Sequence, residues 1–259
     1  MNRVILCEGT DDLTFLGYYL YKISNKKYYR FTKNPNKNFE LKSIHSRRDR
    51  IEIYGNNSND DLVYIWGVGG KDNFEEPIKS ILNINNKLPE HRFVDIFLVS
   101  DRDKDDVNDV INKFLKIFRE NEYDVILKNN TINKALYMVE DEKYLVHIIP
   151  IIIPFDEHGA IETVLMNGIA EQNEGKIIVE EAEKYVNKIK DNSNIVTYLK
   201  HERDKLKAKF SAVMAIINPD KSTETMNSIL VSNEWEKLDE IRMHFGIIDK
   251  IINGEDTYV

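Results

Sequence analysis

The sequence predicts an α/β protein with a mostly parallel central sheet, followed by a helical C-terminal part. Three short runs, at 3–8, 62–70 and 92–101, have the near-continuous apolar character of strands that are buried on both faces. Segments in which apolar residues recur at helical spacing lie between and after these runs, so strands and helices alternate. Such alternation is typical of right-handed β–α–β crossovers in a parallel sheet.

A helix is predicted after each of these three strands. The first covers 11–23, where leucines recur at helical spacing behind a turn at Gly9 and an N-cap at Thr10. The second covers 71–88 and the third 106–121, which has a strongly amphipathic pattern. Two further apolar segments are expected to extend the sheet: 135–139 and 144–153.

The remaining segments suggest how the chain is divided. A polar section at 24–61, rich in lysine and asparagine, predicts an insertion or an irregular hairpin. Beyond the last strand, helices are predicted at 160–170, 176–190, 195–217 and 233–252. We therefore predict an α/β domain at 1–170, which carries the insertion, and a helical extension at 171–259.

The composition fits a folded protein of a reducing compartment. The chain has 259 residues, 42% of them hydrophobic and 31% charged, and its one cysteine is Cys7. A single cysteine can form neither an intramolecular disulfide nor a thiolate zinc cluster. The sequence has no secretion-signal pattern and no apolar stretch of membrane-spanning length, so we expect a cytoplasmic protein that does not bind membranes.

The charge balance bears on nucleic-acid binding. The net charge of −8 argues against a general polyanion-binding surface, because nucleic-acid-binding domains usually carry a basic surplus. This argument weakens if some of the acids bind metal cations. A local basic cluster at 200–209 is either a binding surface or a solvated helix face.

Carboxylates follow two of the predicted strands. Glu8 ends the first strand, Asp101 ends the third, and Asp103 comes two residues later. In extended backbone alternate side chains point the same way, so Asp101 and Asp103 can face one point, and Glu8 can join them if the two strands are neighbours. Ligand sets made only of oxygen favour hard cations such as Mg²⁺ or Mn²⁺.

Capping is the alternative role for the acids nearby. A helix N-terminus favours negative charge, and this can account for four of them: Asp11, Asp12, Asp105 and Asp106. Capping does not account for Glu8 and Asp101, which end hydrophobic strands before the turns begin.

The two acidic segments resemble the TOPRIM pattern of primases, topoisomerases and OLD-family nucleases. That pattern has a glutamate after the first strand and an Asp-x-Asp after a later one, and here "CEGTDD" (7–12) is followed by "LVSDRDKDD" (98–106). Between them, "GVGGKDNF" (67–74) resembles the glycine pair of OLD-type domains. Two later segments are similar to a stand-alone TOPRIM-like family: "IIPFDEHGAIETVL" (152–165) and "LKAKFSAVMAIINP" (206–219).

The resemblance implies a Rossmann-like TOPRIM fold with a Mg²⁺ site. In such a site Glu8, Asp101 and Asp103 would bind the metal and act in catalysis, and Asp12 and Asp105 match further acids of the OLD-type site. The TOPRIM resemblance covers roughly 1–150, and the resemblance to the stand-alone family covers nearly the whole chain.

An OLD-type site also uses a late lysine, and Lys209 or Lys207 could fill that role. Glu162, at a predicted helix start, either adds a carboxylate to the metal site or caps its helix.

A glycine pair precedes a lysine at the end of the second strand. Backbone N–H groups of Gly69 and Gly70, with the Lys71 ammonium, could hold a phosphate at the start of the next helix. The alternative is a turn that needs glycine for its positive φ.

Two features of the related proteins are absent from this sequence, and their absence limits the functions that the resemblance implies. The phosphate-binding loop G-x-x-x-x-G-K-[ST] of the OLD-family ATPase is absent from the sequence, and one cysteine cannot form a primase zinc ribbon. We therefore predict a Mg²⁺- or Mn²⁺-dependent nuclease or nuclease subunit, with DNA favoured over RNA as substrate and an ATPase or other protein as partner.

Two other functions remain open. The first is a non-catalytic binding or regulatory module that keeps the carboxylates and acts with a partner protein. The second is a hydrolase of small phosphate esters, although aspartyl-phosphate enzymes place their Asp-x-Asp after the first strand and not after the third.

Overall fold

The computed structural model describes residues 1–25, 27–44, 49–56, 61–195, 197–221, 226–231 and 233–254. Helices cover both faces of one seven-stranded sheet. The predicted α/β class, with its parallel central strands and its helical C-terminal part, is confirmed.

The sheet has four parallel strands at its centre. The strands are β1 Asn2–Cys7, β2 Tyr29–Phe31, β3 Arg50–Gly55, β4 Leu62–Gly67, β5 Phe93–Asp101, β6 Asn133–Val139 and β7 Glu142–Ile153. Their order is β2-β3-β4-β1-β5-β7-β6, in which β4, β1, β5 and β7 run parallel and the outer pairs are antiparallel. The chain that leaves β1 continues on the β4 side of it, whereas the chain that leaves β4 crosses to β5 on the other side. In such sheets ligands bind beyond the carboxyl ends of the strands, at the position where the direction of the connections reverses.

The helices divide between the two faces. Their bounds are α1 Thr10–Ile23, α2 Glu75–Lys87, α3 Val107–Glu120, α4 Ile161–Ala170, α5 Asn173–Lys190, α6 Glu202–Ile217, α7 Met226–Val231 and α8 Asp239–Asn253. One hydrophobic cluster joins the sheet to α2 and α3, and the other joins it to α1 and to α4 through α8. The C-terminal helices therefore share a core with the first helix.

The first strand shows why its sequence is almost wholly apolar. Val4 and Leu6 point into the cluster under α2 and α3, whereas Ile5 and Cys7 point into the cluster under α1 and α4. Because both faces of β1 are covered, each of these side chains is fully buried.

Several predicted boundaries change. The helix predicted at 195–217 begins only at Glu202, after Leu199 adopts a left-handed φ of 56, and position 196 lies outside the described residues. Gly9, and not Thr10, is the N-cap of α1, because Thr10 is already the first helical residue; the Gly9 N–H donates to the side chain of Asp12.

The predicted insertion at 24–61 supplies β2 and β3, which extend one edge of the sheet. Positions 26, 45–48 and 57–60 of it lie outside the described residues. Across the parts of the chain that the structure describes, no helix is long and apolar enough to cross a membrane.

Candidate functional site

A cleft of about 1290 Å³ opens at the carboxyl ends of β1 and β5. Its walls are the start of α1, the turn after β4, the loop after β5, the start of α4 and the first half of α6. It is larger than the roughly 300–1,000 Å³ typical of pockets for single small molecules. All of the site residues predicted from the sequence line it: Glu8, Asp12, Gly69, Gly70, Lys71, Asp101, Asp103, Asp105, Glu162, Lys207 and Lys209.

Glu8 reaches across from β1 to β5. Its Oε1 accepts hydrogen bonds from the Ser100 hydroxyl at 2.8 Å and from the Asp101 backbone N–H at 2.9 Å. The first and third predicted strands are therefore neighbours, as the metal site requires: β1 and β5 are paired up to Cys7 and Val99. Both donors fix the orientation of the Glu8 carboxylate.

Asp101 is held by the N-terminus of α4. Its Oδ1 accepts a hydrogen bond from the backbone N–H of Ile161 at 3.0 Å. The loop that follows is tied to the same region, because Asp103 and Gly159 exchange two backbone hydrogen bonds at 2.7 and 3.0 Å. The end of β5 and the start of α4 thus form one wall of the cleft.

Asp12 and Glu162 lie deep in the cleft, 8% and 7% exposed. Asp12 accepts a hydrogen bond from the Gly9 N–H at 2.7 Å, so it does cap α1, as the alternative for this residue predicted. Glu162 is bonded to the Lys207 ammonium at 3.0 Å. Capping does not remove Asp12 from the acidic cluster, since its carboxylate is still buried among other acids.

Asp103 and Asp105 lie nearer the solvent and share one lysine. The Lys71 ammonium is 3.1 Å from a carboxylate oxygen of each. Asp103 has a left-handed φ of 54, so the extended backbone assumed for Asp101 and Asp103 ends at this residue. Their predicted common direction therefore does not follow from strand alternation.

The backbone N–H groups of the glycine pair bond to Glu8 and do not form a phosphate-binding loop. The backbone N–H groups of Gly69 and Gly70 both donate to the Glu8 carbonyl, at 2.9 and 2.8 Å. These groups are therefore not free to bind phosphate, which corrects that part of the predicted phosphate site. Positive φ values of 84 and 136 support the alternative, a turn that needs glycine.

A substitution at Gly70 is expected to disturb this turn. Alanine disfavours a φ of 136, so Gly70→Ala should lower the stability by about 1–3 kcal/mol and the melting temperature by several degrees. Gly246→Ala is the control, because a Cβ there meets no atom within 4 Å, in the middle of a helix. Thermal unfolding that finds both variants equally stable would contradict this role of Gly70.

Burial and mutual repulsion raise the pKa values of the inner carboxylates. Burial, with the nearby charges of Asp12 and Asp103, raises the pKa of Glu8 to about 7. Burial, with Glu162 and Asp11, raises the pKa of Asp12 to about 6. The pKa of Asp101 is raised well above its usual value by burial and by the acids around it.

The oxygen donors and the negative charge of these carboxylates suit a hard divalent cation. The acids that surround Asp101 offer oxygen atoms alone, and their repulsion would be relieved by a positive ion. In the arrangement of the described residues, however, no group of three Asp, Glu, His or Cys side chains is positioned to hold one metal ion. One oxygen each of Glu8, Asp101, Asp103 and Glu162 is bonded instead to a backbone N–H group, to Ser100 or to a lysine.

The two candidate lysines differ in their contacts. Lys207 lies against Glu162 and, at 3.3 Å, Asp11, whereas Lys209 is bonded to Glu183 on α5. Burial lowers the pKa of Lys207, but the charges of Glu162 and Asp11 outweigh this and raise it overall. Lys207 is thus a protonated ammonium directed at the acidic cluster.

A protein-family profile matches most of the chain. The profile of a family described as "Protein of unknown function (DUF3226)" matches residues 2–245. The chain belongs to the DUF3226 family. The matched range contains every residue that lines the cleft of this DUF3226 protein.

Two other comparisons add little. None of the curated proteins that were compared matches this DUF3226 chain significantly. A crystal structure of a hypothetical protein from Pyrococcus horikoshii OT3 is similar, with 16% identity and a TM-score of 0.48 over 95% of this chain and 99% of that one.

Two residues of the DUF3226 site were not assigned from the sequence. The Ser100 hydroxyl orients Glu8 by donating a hydrogen bond to its carboxylate. Arg102 joins the two loops of the wall, since its side chain donates to the carbonyls of Asp105, Phe155 and Glu157 at 3.1–3.2 Å. Ser100 could have been inferred from its place at the end of a strand next to β1.

Proposed function

We propose that this chain is a divalent-metal-dependent nuclease, or the catalytic subunit of one, that hydrolyses phosphodiester bonds of nucleic acid. The observation that carries the proposal is the gathering of buried and partly buried carboxylates from four elements in one large cleft. The resemblance of the sequence to TOPRIM domains supports the same proposal.

Carboxylates of the cleft are the proposed metal ligands. Glu8, Asp101 and Asp103 would hold Mg²⁺ or Mn²⁺, with Asp12 and Asp105 as further oxygen donors. A bound divalent cation would activate a water molecule and stabilise negative charge on the phosphate.

The protein side of the site is preorganised. Ser100 and the Asp101 N–H hold Glu8 in place, and the first N–H of α4 holds Asp101. These bonds keep the two carboxylates at the floor of the cleft before any substrate arrives. Fixed donors of this kind spare the reaction the cost of reorganising them.

Lys207 is the proposed cation for the phosphate. Its ammonium is close to Glu162 and Asp11, so a phosphate bound over the acids would lie within its reach. It would neutralise the negative charge that develops in the transition state. Lys71, which faces Asp103 and Asp105, supplies a second positive charge beside the loop after β5.

Lys207 and Lys209 can be separated by substitution. Lys207→Ala is expected to lower kcat for phosphodiester hydrolysis by about 10- to 100-fold. Lys209→Ala should cost much less, because its ammonium is bonded to Glu183, which does not line the cleft, whereas both carboxylate partners of Lys207 do. Steady-state rates of both variants test this, and a larger loss for Lys209→Ala would assign the role to that residue.

The substrate panel tests the function itself. Supercoiled plasmid, single-stranded DNA, single-stranded RNA and a small phosphate ester are each incubated with Mg²⁺, with Mn²⁺ and with a chelator. We expect metal-dependent cleavage of a polynucleotide, DNA before RNA, and little turnover of the ester. Turnover of the ester alone would favour the small phosphohydrolase, and intact polynucleotides in every condition would contradict the nuclease proposal for the isolated chain.

One observation favours a non-catalytic module as the second candidate. Within the described residues Lys71 and Lys207 are already bonded to the acids, and no three acids are positioned for one metal ion. Such a module would bind its ligand without turnover and act through a partner protein.

A partner is also proposed for the nuclease. The net charge of −8 weakens the binding of nucleic acid to the chain alone, so an ATPase or another protein would help to bring the substrate. The single, buried Cys7 suits a reducing cytoplasm, where we expect the protein to act.

A further inference from the structure

The segment that leads into α6 forms one side of the cleft mouth. Lys200, His201 and Arg203 line the cleft, and all three are exposed. Tyr198 lies two residues before Lys200, next to the lining residues but not among them, and is 75% exposed. Because consecutive Cα atoms are about 3.8 Å apart, the Cα atoms of Tyr198 and Lys200 lie within about 7.6 Å of each other.

The cations at the mouth differ in their contacts from the other lysines of the cleft. Lys71, Lys207 and Lys209 are each bonded to carboxylates. In the described part of the chain, Lys200 and Arg203 take part in no ion pair, and neither does Lys104 in the loop after β5. The charges of the mouth are therefore available to an anion from solution.

We propose that Tyr198, Lys200 and Arg203, with Lys104, bind single-stranded nucleic acid and lead it to the carboxylates. The cations would contact successive phosphates, and the tyrosine ring would stack on a base. The direction of the strand toward the carboxylates rests on the proposed function, whereas the binding itself does not.

The tyrosine selects a single strand over a duplex. Bases in a duplex are hidden by their own stacking and pairing, so an exposed ring can stack only on an unpaired base. A duplex would use the cations alone and would be insensitive to Tyr198. DNA and RNA single strands share the chemistry that this surface recognises, and their relative affinities are compared in the same experiment.

The test is a binding measurement in chelator, in which metal-dependent cleavage is switched off. Fluorescence anisotropy with a labelled oligonucleotide compares single-stranded DNA, single-stranded RNA and the DNA duplex of the same sequence. We expect the single strands to bind at least about tenfold more tightly than the duplex. Tyr198→Ala should weaken single-strand binding by about 5- to 100-fold, and Tyr198→Phe should restore it.

Two further variants separate stacking from charge. Arg203→Ala should weaken binding of both forms and reduce the salt dependence, as expected for one lost phosphate contact. Tyr185→Ala is the matched control, since Tyr185 is 62% exposed and lies on α5, outside the segment that leads into α6. Its binding should equal that of the wild type.

The outcomes distinguish this inference from the proposed function. Equal or tighter binding of duplex, or unchanged binding by Tyr198→Ala, overturns the inference even if the protein cleaves nucleic acid. Selective single-strand binding that depends on Tyr198, without cleavage in any metal, supports the inference and overturns the nuclease proposal.

Discussion

Replacing Asp101 with asparagine is expected to lower metal-dependent phosphodiester hydrolysis by at least about 100-fold. Asp101 lies among the other acids of the cluster. After burial, the charges of four of them raise its pKa: Asp12, Glu8, Glu162 and Asp103. An amide removes the negative charge that would hold a divalent cation. The measurement is the initial rate on the best substrate of the panel, at saturating Mg²⁺ and Mn²⁺.

The substitution is designed to leave the fold intact. An asparagine oxygen can still accept the hydrogen bond from the Ile161 N–H, so the contact between β5 and α4 is kept. Asp109→Asn on α3 is the matched control, since that aspartate is exposed and does not line the cleft. If folded Asp101→Asn retains more than half of the wild-type rate, the carboxylate cluster does not take part in catalysis.

Glu8→Gln is expected to make the metal-free protein more stable at pH 8. A carboxyl group whose folded pKa is raised destabilises the fold once it ionises, so stability falls as the pH rises through the window between the two pKa values. For Glu8 this window runs from its ordinary value of 4.5 to about 7. Glutamine keeps an oxygen that can accept from Ser100 and Asp101, but it carries no charge.

The expected gain at pH 8 is on the order of 1–3 kcal/mol, or a few degrees in Tm. It should shrink toward zero at pH 4.5, where wild-type Glu8 is largely protonated. Thermal unfolding in chelator at both pH values measures it, with Glu181→Gln on the exposed face of α5 as the control. A Glu8→Gln protein that is less stable than the wild type at pH 8 would show that ionised Glu8 stabilises the fold.

The positions of the acids could be predicted because of how parallel sheets are built. Glu8 and Asp101 end apolar strands, and parallel strands bring their carboxyl ends to one edge. The adjacency of β1 and β5 could only be assumed, since it depends on where the crossover connections lead. Glu162 and Lys207 followed from segment resemblance, and the structure places them together.

The details that failed depend on local backbone geometry. The N–H groups of Gly69 and Gly70 point at the Glu8 carbonyl, a direction fixed by the turn and not by residue type. The backbone turns at Asp103, which ends the alternation that the strand suggested. Tyr198 is exposed in the loop before α6, whereas the sequence predicted a continuous helix there.

The most direct test of the account is a titration of the protein with Mn²⁺, followed by the electron paramagnetic resonance signal of the free ion. The central claim is that the carboxylates at the ends of β1 and β5 form a divalent-cation site. We expect one or two Mn²⁺ ions to bind, to be displaced by Mg²⁺, and to bind at least about tenfold more weakly to Asp101→Asn. No binding by the wild type at millimolar Mn²⁺, or equal binding by the variant, would contradict the claim.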